Sequence, residues 1–168
     1  LRLKGIKTVI GDLGDTGSLQ TAMDGFDKLF LLSVTSPDIP VLHGNAARIA
    51  KETGIKHIVK ISVRGAAPDA NFNIGRYHGN AEKKIREIGI PFTFLQPHSF
   101  MQNLFFERQT IKEKNAIYAS MGNGKIPMID TRDIAAVAVK TLLENGHEGK
   151  SYILTGPEAI SYHDIVAG

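Results

Sequence analysis

The chain contains no cysteine. That excludes disulfides, thiolate metal sites and a cysteine nucleophile, and it is compatible with a cytoplasmic location. No apolar run approaches the roughly 20 residues of a membrane-spanning helix and no signal peptide is visible, so no membrane partner is expected. Net charge is also scarce. Twenty basic residues stand against 17 acidic ones, giving +3, and the signs are interspersed, as in "AEKKIREIG". That is the pattern of a solvated helix face, and it argues against nucleic acid as a partner. His43, His57, His147 and His163 show no H-x-x-H or H-x-x-x-H clustering with carboxylates, so no metal site is expected. What is present is 42% apolar content over 168 residues, enough for one globular domain with a substantial core.

Short runs rich in Val, Ile, Leu and Phe recur along the chain: "TVIG", "KLFLLSV", "HIVKIS", "FTFLQP" and "SYILTG". They are apolar without clean alternation, as strands buried on both faces of a parallel sheet should be. Amphipathic stretches lie among them at Ser18–Met23, Val41–Thr53, Ala81–Ile88 and Ile134–Leu143. Alternating strand and helix predicts an open α/β fold, a doubly wound parallel sheet. "AARIAKETGIKHIVKIS" and "AEKKIREIGIPFTFLQ" repeat one helix–glycine–strand pattern, with Gly54 and Gly89 suited to the left-handed position after each helix. "RGAAPDANFNIGRY" has the composition of a long loop, and it follows a strand, where such sheets form their ligand crevice. The chain opens on Leu1 rather than methionine and stops at Gly168 within "SYHDIVAG", a starting helix. It is therefore read as the interior of a longer protein.

"GDLGDTG", Gly11–Gly17, has the spacing of a phosphate-binding loop. Asp12 and Asp15 argue against that use: like charges ~4 Å apart repel by about 4 kcal/mol at an effective dielectric of ~20. Asp15, Thr16 or Ser18 can instead cap the helix that follows. The motif is expected to be a strand end and a helix cap. In "DTRDIAAVA", Asp130 or Thr131 is a helix cap by the same logic, with Ile134, Val137 and Ala138 packing inward and Asp133 a weak general-base candidate.

The stretches "GDLGDTGSLQTAMDGFDKLFLLS", "AKETGIKHIVKIS", "HGNAEKKIREIGIPFTFLQPHSFMQNL", "GNGKIPMIDTRDIAAVAVKTL" and "GHEGKSYILTGPEAISY" together resemble the NmrA-like family. These are atypical short-chain dehydrogenase/reductases that include NAD(P)H-dependent quinone reductases and redox-sensing regulators, and the resemblance spans the whole chain. It implies a Rossmann-like domain over residues 1–168 that lacks its first strand–helix–strand unit and its C-terminal portion, with residues from about 115 onward leading into the substrate-binding region. It further implies NADP or NAD as cofactor, NADPH being the better fit, and a small-molecule acceptor such as a quinone; a homodimer is compatible with it. The alternative is a regulator that binds dinucleotide without turnover.

The resemblance also assigns roles residue by residue. Asp12 and Leu13 lie against the adenine, although a turn aspartate and a core leucine would look the same. Ser33, Val34 and Thr35 lie beside ribose and pyrophosphate, or are ordinary turn residues. Ser62 occupies the strand end where the wider superfamily carries an active-site serine, or is a buried serine bonded to backbone. His78 and Glu82 replace that superfamily's Tyr-x-x-x-Lys pair. At i, i+4 they share a helix face, so Glu82 can orient the imidazole and raise its pKa while His78 faces the nicotinamide ribose or donates a proton. The alternative is a surface ion pair worth less than ~1 kcal/mol. Pro97, His98 and Ser99 form the turn against the nicotinamide. Phe100 walls the acceptor pocket, and Met101 is expected in the core.

Overall fold

The computed structural model describes residues 5–167; Leu1 and Gly168, the two chain ends discussed above, lie outside them. Among the described residues four strands form one sheet: β1 (Lys28–Leu31), β2 (His57–Ile61), β3 (Phe92–Pro97) and β4 (Lys150–Leu154). They pair in that order and all run parallel, with Phe30 opposite Val59 and Val59 opposite Thr93. The helices are α1 (Thr16–Met23), α2 (Ile39–Glu52), α3 (Asn73–Ile88), α4 (Arg108–Lys114), α5 (Thr131–Leu143) and α6 (Tyr162–Ala167), with a 3-10 helix over Met101–Glu107. Among the described residues no helix is long and apolar enough to cross a membrane.

Alternation along β2 and β3 divides the core. Ile58 and Phe94 face Ala46, Ala47 and Ala50 of α2 and Ile85 of α3, and the alanines let the helices approach closely. Val59, Ile61 and Leu95 face Ile134 and Ala138 of α5 on the other side. Helices thus cover both faces, as predicted. The β3–β4 crossover steps the same way across the sheet as the first two but on the opposite face, so it has the opposite hand. Gly54 (φ 85°) and Gly89 (φ 72°) hold the left-handed positions expected of them. Asp130 caps α5 by accepting from the Arg132 N–H.

Two expectations are corrected. "TVIG" is not a strand: Ile10 is 93% exposed, and no described strand lies beyond β1 to pair with it. A strand is completed by ladder pairing with a neighbouring strand, and among the described residues β1 pairs only with β2. Helix α3 begins at Asn73, eight residues before Ala81, so the loop ends at Phe72. The added turns, "NIGRYHGN", contain two glycines and two asparagines, weak helix formers whose propensity is overridden by packing.

Gly79 shows that packing most sharply. A Cβ there would lie 2.2 Å from the backbone carbonyl carbon of Ala67, so the loop after β2 rests directly on α3 beside His78. Gly79→Ala is expected to destabilise the protein by about 1–3 kcal/mol, since backbone cannot yield as a flexible side chain can. A urea midpoint equal to that of wild type would contradict this contact.

Candidate functional site

The carboxyl ends of β1, β2 and β3 open into a cleft of about 670 Å³. Ser33 and Thr35 enter it from the segment after β1, Ser62 and Arg64 from the segment after β2, and His78 from α3. Pro97, His98, Ser99, Phe100 and Asn103 come from the segment after β3. Leu32, Ile61, Phe72 and Ile74 supply apolar wall. Open parallel sheets bind ligands at this end, where loops converge and backbone groups leave the ladder. No carboxylate is among the lining side chains, and Arg64 contributes a guanidinium.

The structure gathers Ser33, Thr35, Ser62, His78, Pro97, His98, Ser99 and Phe100 in one cleft. Phe100 packs against the α5 side of the core and is half-buried. Val34 is not on the wall and is 84% exposed. Burial, then the charge of Arg64, lowers the His98 pKa, and its Nδ1 accepts from the Ser99 N–H at 2.8 Å. Met101, expected in the core, is exposed, because the 3-10 helix turns it outward. Asp133 is exposed and away from the cleft.

Beneath the cleft lies a buried polar floor that sequence reasoning described only in part. His78 is 7% exposed, and its Nδ1 lies 2.9 Å from Lys60 Nζ, which also donates to the Ile61 carbonyl at 3.1 Å. Glu82 is buried, but it does not bond the imidazole. Its Oε1 accepts from Ser62 Oγ at 2.5 Å and Gln96 Nε2 at 2.9 Å, and its Oε2 accepts from Arg86 at 3.3 Å. The i, i+4 spacing does place both residues on one face, yet the carboxylate turns to Ser62 and Gln96 at the ends of β2 and β3 and to Arg86 one turn along α3. Ser62 accordingly bonds a side chain, not backbone. The expected rise in the His78 pKa is reversed: burial and the nearby Lys60 charge lower it to about 3. Burial also lowers Lys60 to about 7, against an opposing pull from Glu82. The missed signal was the lysine within "HIVKIS", which alternation points at α3.

His43 of α2 completes the floor. It is fully buried, its Nε2 lies 2.8 Å from Ser33 Oγ, and its ring meets that of His78 edge-on at 6.5 Å. Its pKa is lowered to about 3 by burial, then by Lys60 and His78. Each imidazole is therefore neutral when folded, and each takes up a proton on unfolding between pH 6.5 and about 3. Stability should fall as pH falls through that window, by about 1.4 kcal/mol per pH unit for each histidine. In the full-length protein, His43→Gln should remove about one proton from that slope in urea titrations at several pH values. Equal slopes would contradict the assignment.

At the glycine motif, Asp12 Oδ1 accepts from the Gly14 N–H at 2.7 Å, and Asp15 Oδ1 accepts from the Gly17 N–H at 3.0 Å as the cap of α1. Ser18 Oγ ties the two turns together, accepting from the Asp12 N–H at 2.9 Å and lying 2.8 Å from the Asp15 carbonyl. The N–H groups a phosphate would need are already occupied. Leu13 packs against the core, and its carbonyl accepts from Asn45 Nδ2 at 3.2 Å. Asp12 and Leu13 lie outside the cleft wall.

Comparison with known proteins agrees with this architecture. The chain is 41% identical over 167 residues to the NAD(P)H azoreductase of Xenophilus azovorans, covering 99% of this chain and 58% of that protein. Among solved structures it is similar to the Escherichia coli NADPH-dependent quinone oxidoreductase complexed with NADPH. That match has a TM-score of 0.88 at 29% identity, over 99% of this chain and 59% of the other. It is also similar to the Citrobacter sp. triphenylmethane reductase complexed with NADP(H), with a TM-score of 0.85 at 28% identity, over 98% and 59% of the two chains. The chain thus spans less than two thirds of the length of these relatives. The model of the NmrA-like family matches residues 1–168, and the chain belongs to that family.

Proposed function

We propose that the full-length protein is an NAD(P)H-dependent reductase that passes a hydride to a small, flat acceptor such as a quinone, with NADPH as the favoured cofactor. The observation that carries this reading is the cleft at the strand ends, free of carboxylates on its wall and holding His78 and Arg64. A pyrophosphate there meets no like charge. The hydroxyls of Ser33 and Thr35 and the backbone through Val34 would hold ribose and pyrophosphate, Ser62 and Pro97–Ser99 the nicotinamide end, and Asp12 and Leu13 the adenine. The dinucleotide-binding domain occupies residues 1–168 in this reading, and residues from about 115 lead toward the acceptor pocket. Exposed Tyr118 and Met121 suit that role.

Bound nicotinamide would supply the hydride. The chain's own task is to exclude water, orient the acceptor and deliver one proton to the reduced oxygen. Phe100, Phe72 and Ile74 offer flat apolar wall. His78 Nε2 has no hydrogen-bond partner among the described residues and is the donor available to an acceptor in the cleft. A quinone demands little more, because a hydroquinone anion is readily protonated; this is why the Tyr-x-x-x-Lys pair is dispensable here.

The test is steady-state oxidation of NADPH and NADH by the full-length protein with a panel of quinones and azo dyes. Turnover with at least one quinone supports the reading. Tight cofactor binding with no turnover above background overturns it in favour of a dinucleotide-sensing regulator. Asp12→Ala should weaken cofactor binding by about 1–2 kcal/mol, the value of a charged hydrogen bond to the adenine amine. An unchanged Kd would remove Asp12 from the site.

A further inference from the structure

Lys60 reaches His78 from beneath the cleft and is not part of its wall. It is fully buried one residue before the carboxyl end of β2, and its Nζ lies between the Ile61 carbonyl at 3.1 Å and His78 Nδ1 at 2.9 Å. The ionisable groups around it come from two helices: His43 on α2, and His78 and Glu82 on α3, with Arg86 paired to Glu82. An ammonium group carries three donors and no acceptor. Whatever ring atom it meets must present a lone pair. His78 Nδ1 is therefore an acceptor when Lys60 is charged, and the single proton of the neutral ring sits on Nε2, the nitrogen left to the cleft.

We propose that Lys60 is a positioning residue that fixes the tautomer of His78, making Nε2 a hydrogen-bond donor toward the acceptor oxygen. This rests on the reading of His78 as the group facing the acceptor, but the tautomer itself is independent of turnover. The balance is simple. In the reductive step the Nε2–H bond breaks as an O–H bond forms on the reduced acceptor and Nδ1 takes a proton from Lys60 Nζ. Nε2 then regains a proton from water in the cleft as Nδ1 returns its own to the Lys60 amine, which restores the starting tautomer and the ammonium. The device is pH-dependent. A neutral Lys60 amine can accept as well as donate, so the constraint is released as pH rises through the lysine's lowered range, near 7. Glu82 opposes that release by favouring the charged lysine.

The experiment is long-range nitrogen–proton NMR of the histidine rings in the full-length protein, from pH 5 to 9, for wild type, Lys60→Met and Lys60→Arg. Wild type below pH 7 should show His78 as a single Nε2–H tautomer, with a second pattern emerging at higher pH. Lys60→Met should show both tautomers at every pH and a His78 that protonates at higher pH than in wild type, because the adjacent charge is gone. Lys60→Arg should restore the single tautomer, since arginine also only donates. A wild-type ring protonated on Nδ1 at pH 6 overturns the proposal without recourse to any variant. An unchanged tautomer and titration in a folded Lys60→Met overturns it as well. If His78→Ala leaves quinone turnover intact while these spectra behave as expected, the functional reading fails and the tautomer assignment stands.

Discussion

Replacing His78 by alanine in the full-length protein should lower NAD(P)H turnover with quinones by about 100-fold or more, the usual value of a positioned proton donor. The form of the loss identifies the role. If His78 delivers the proton, kcat falls and the KM for cofactor changes little. If it holds the nicotinamide ribose, the cofactor KM rises and kcat is largely kept, because uniform binding has been removed. His78→Gln keeps a hydrogen-bond donor but has no proton to give up, so it should leave kcat low in the first case and recover much of the cofactor KM in the second. The fold should survive, since the ring stands at the cleft edge of α3 and water can take its volume. Turnover equal to wild type would mean that hydride transfer needs only the nicotinamide slot.

Glu82→Ala should have the largest effect on stability. The carboxylate is 2% exposed and accepts from Ser62, Gln96 and Arg86, so removing it strands two donors in the interior and uncovers Lys60. Breaking one side of such a buried charged network costs about 3–5 kcal/mol. Glu82→Gln should cost less, because its amide oxygen still accepts, although its NH2 group then faces donors it cannot bond. Chemical denaturation of the full-length protein measures both. A loss under 1 kcal/mol for Glu82→Ala would show that the three donors find other partners.

The sheet was legible because "HIVKIS" and "FTFLQP" are too apolar to face water on either side, and because Gly54 and Gly89 mark where the preceding helices stop. The cleft followed from that topology, since every parallel strand delivers its next residue to the same end. Two things escaped. "TVIG" has strand composition, but strand identity is completed by a neighbour, which composition does not carry. The floor of the site escaped because spacing shows which residues share a face and not which partner wins. Glu82 is within a turn of His78, yet Ser62 and Gln96, distant in sequence, claim its oxygens. Lys60 was hidden inside a run read as apolar, although a lysine within a strand buried along its whole length was itself the clue.

The most direct measurement is a crystal structure of the full-length protein with NADPH bound. The nicotinamide should lie in the cleft between His78 and the Pro97–Ser99 turn, with the adenine against Asp12 and Leu13. The N–H groups of Gly14 and Gly17 should remain bonded to Asp12 and Asp15. A pyrophosphate seated on those two N–H groups, or a nicotinamide bound away from His78, would contradict that placement.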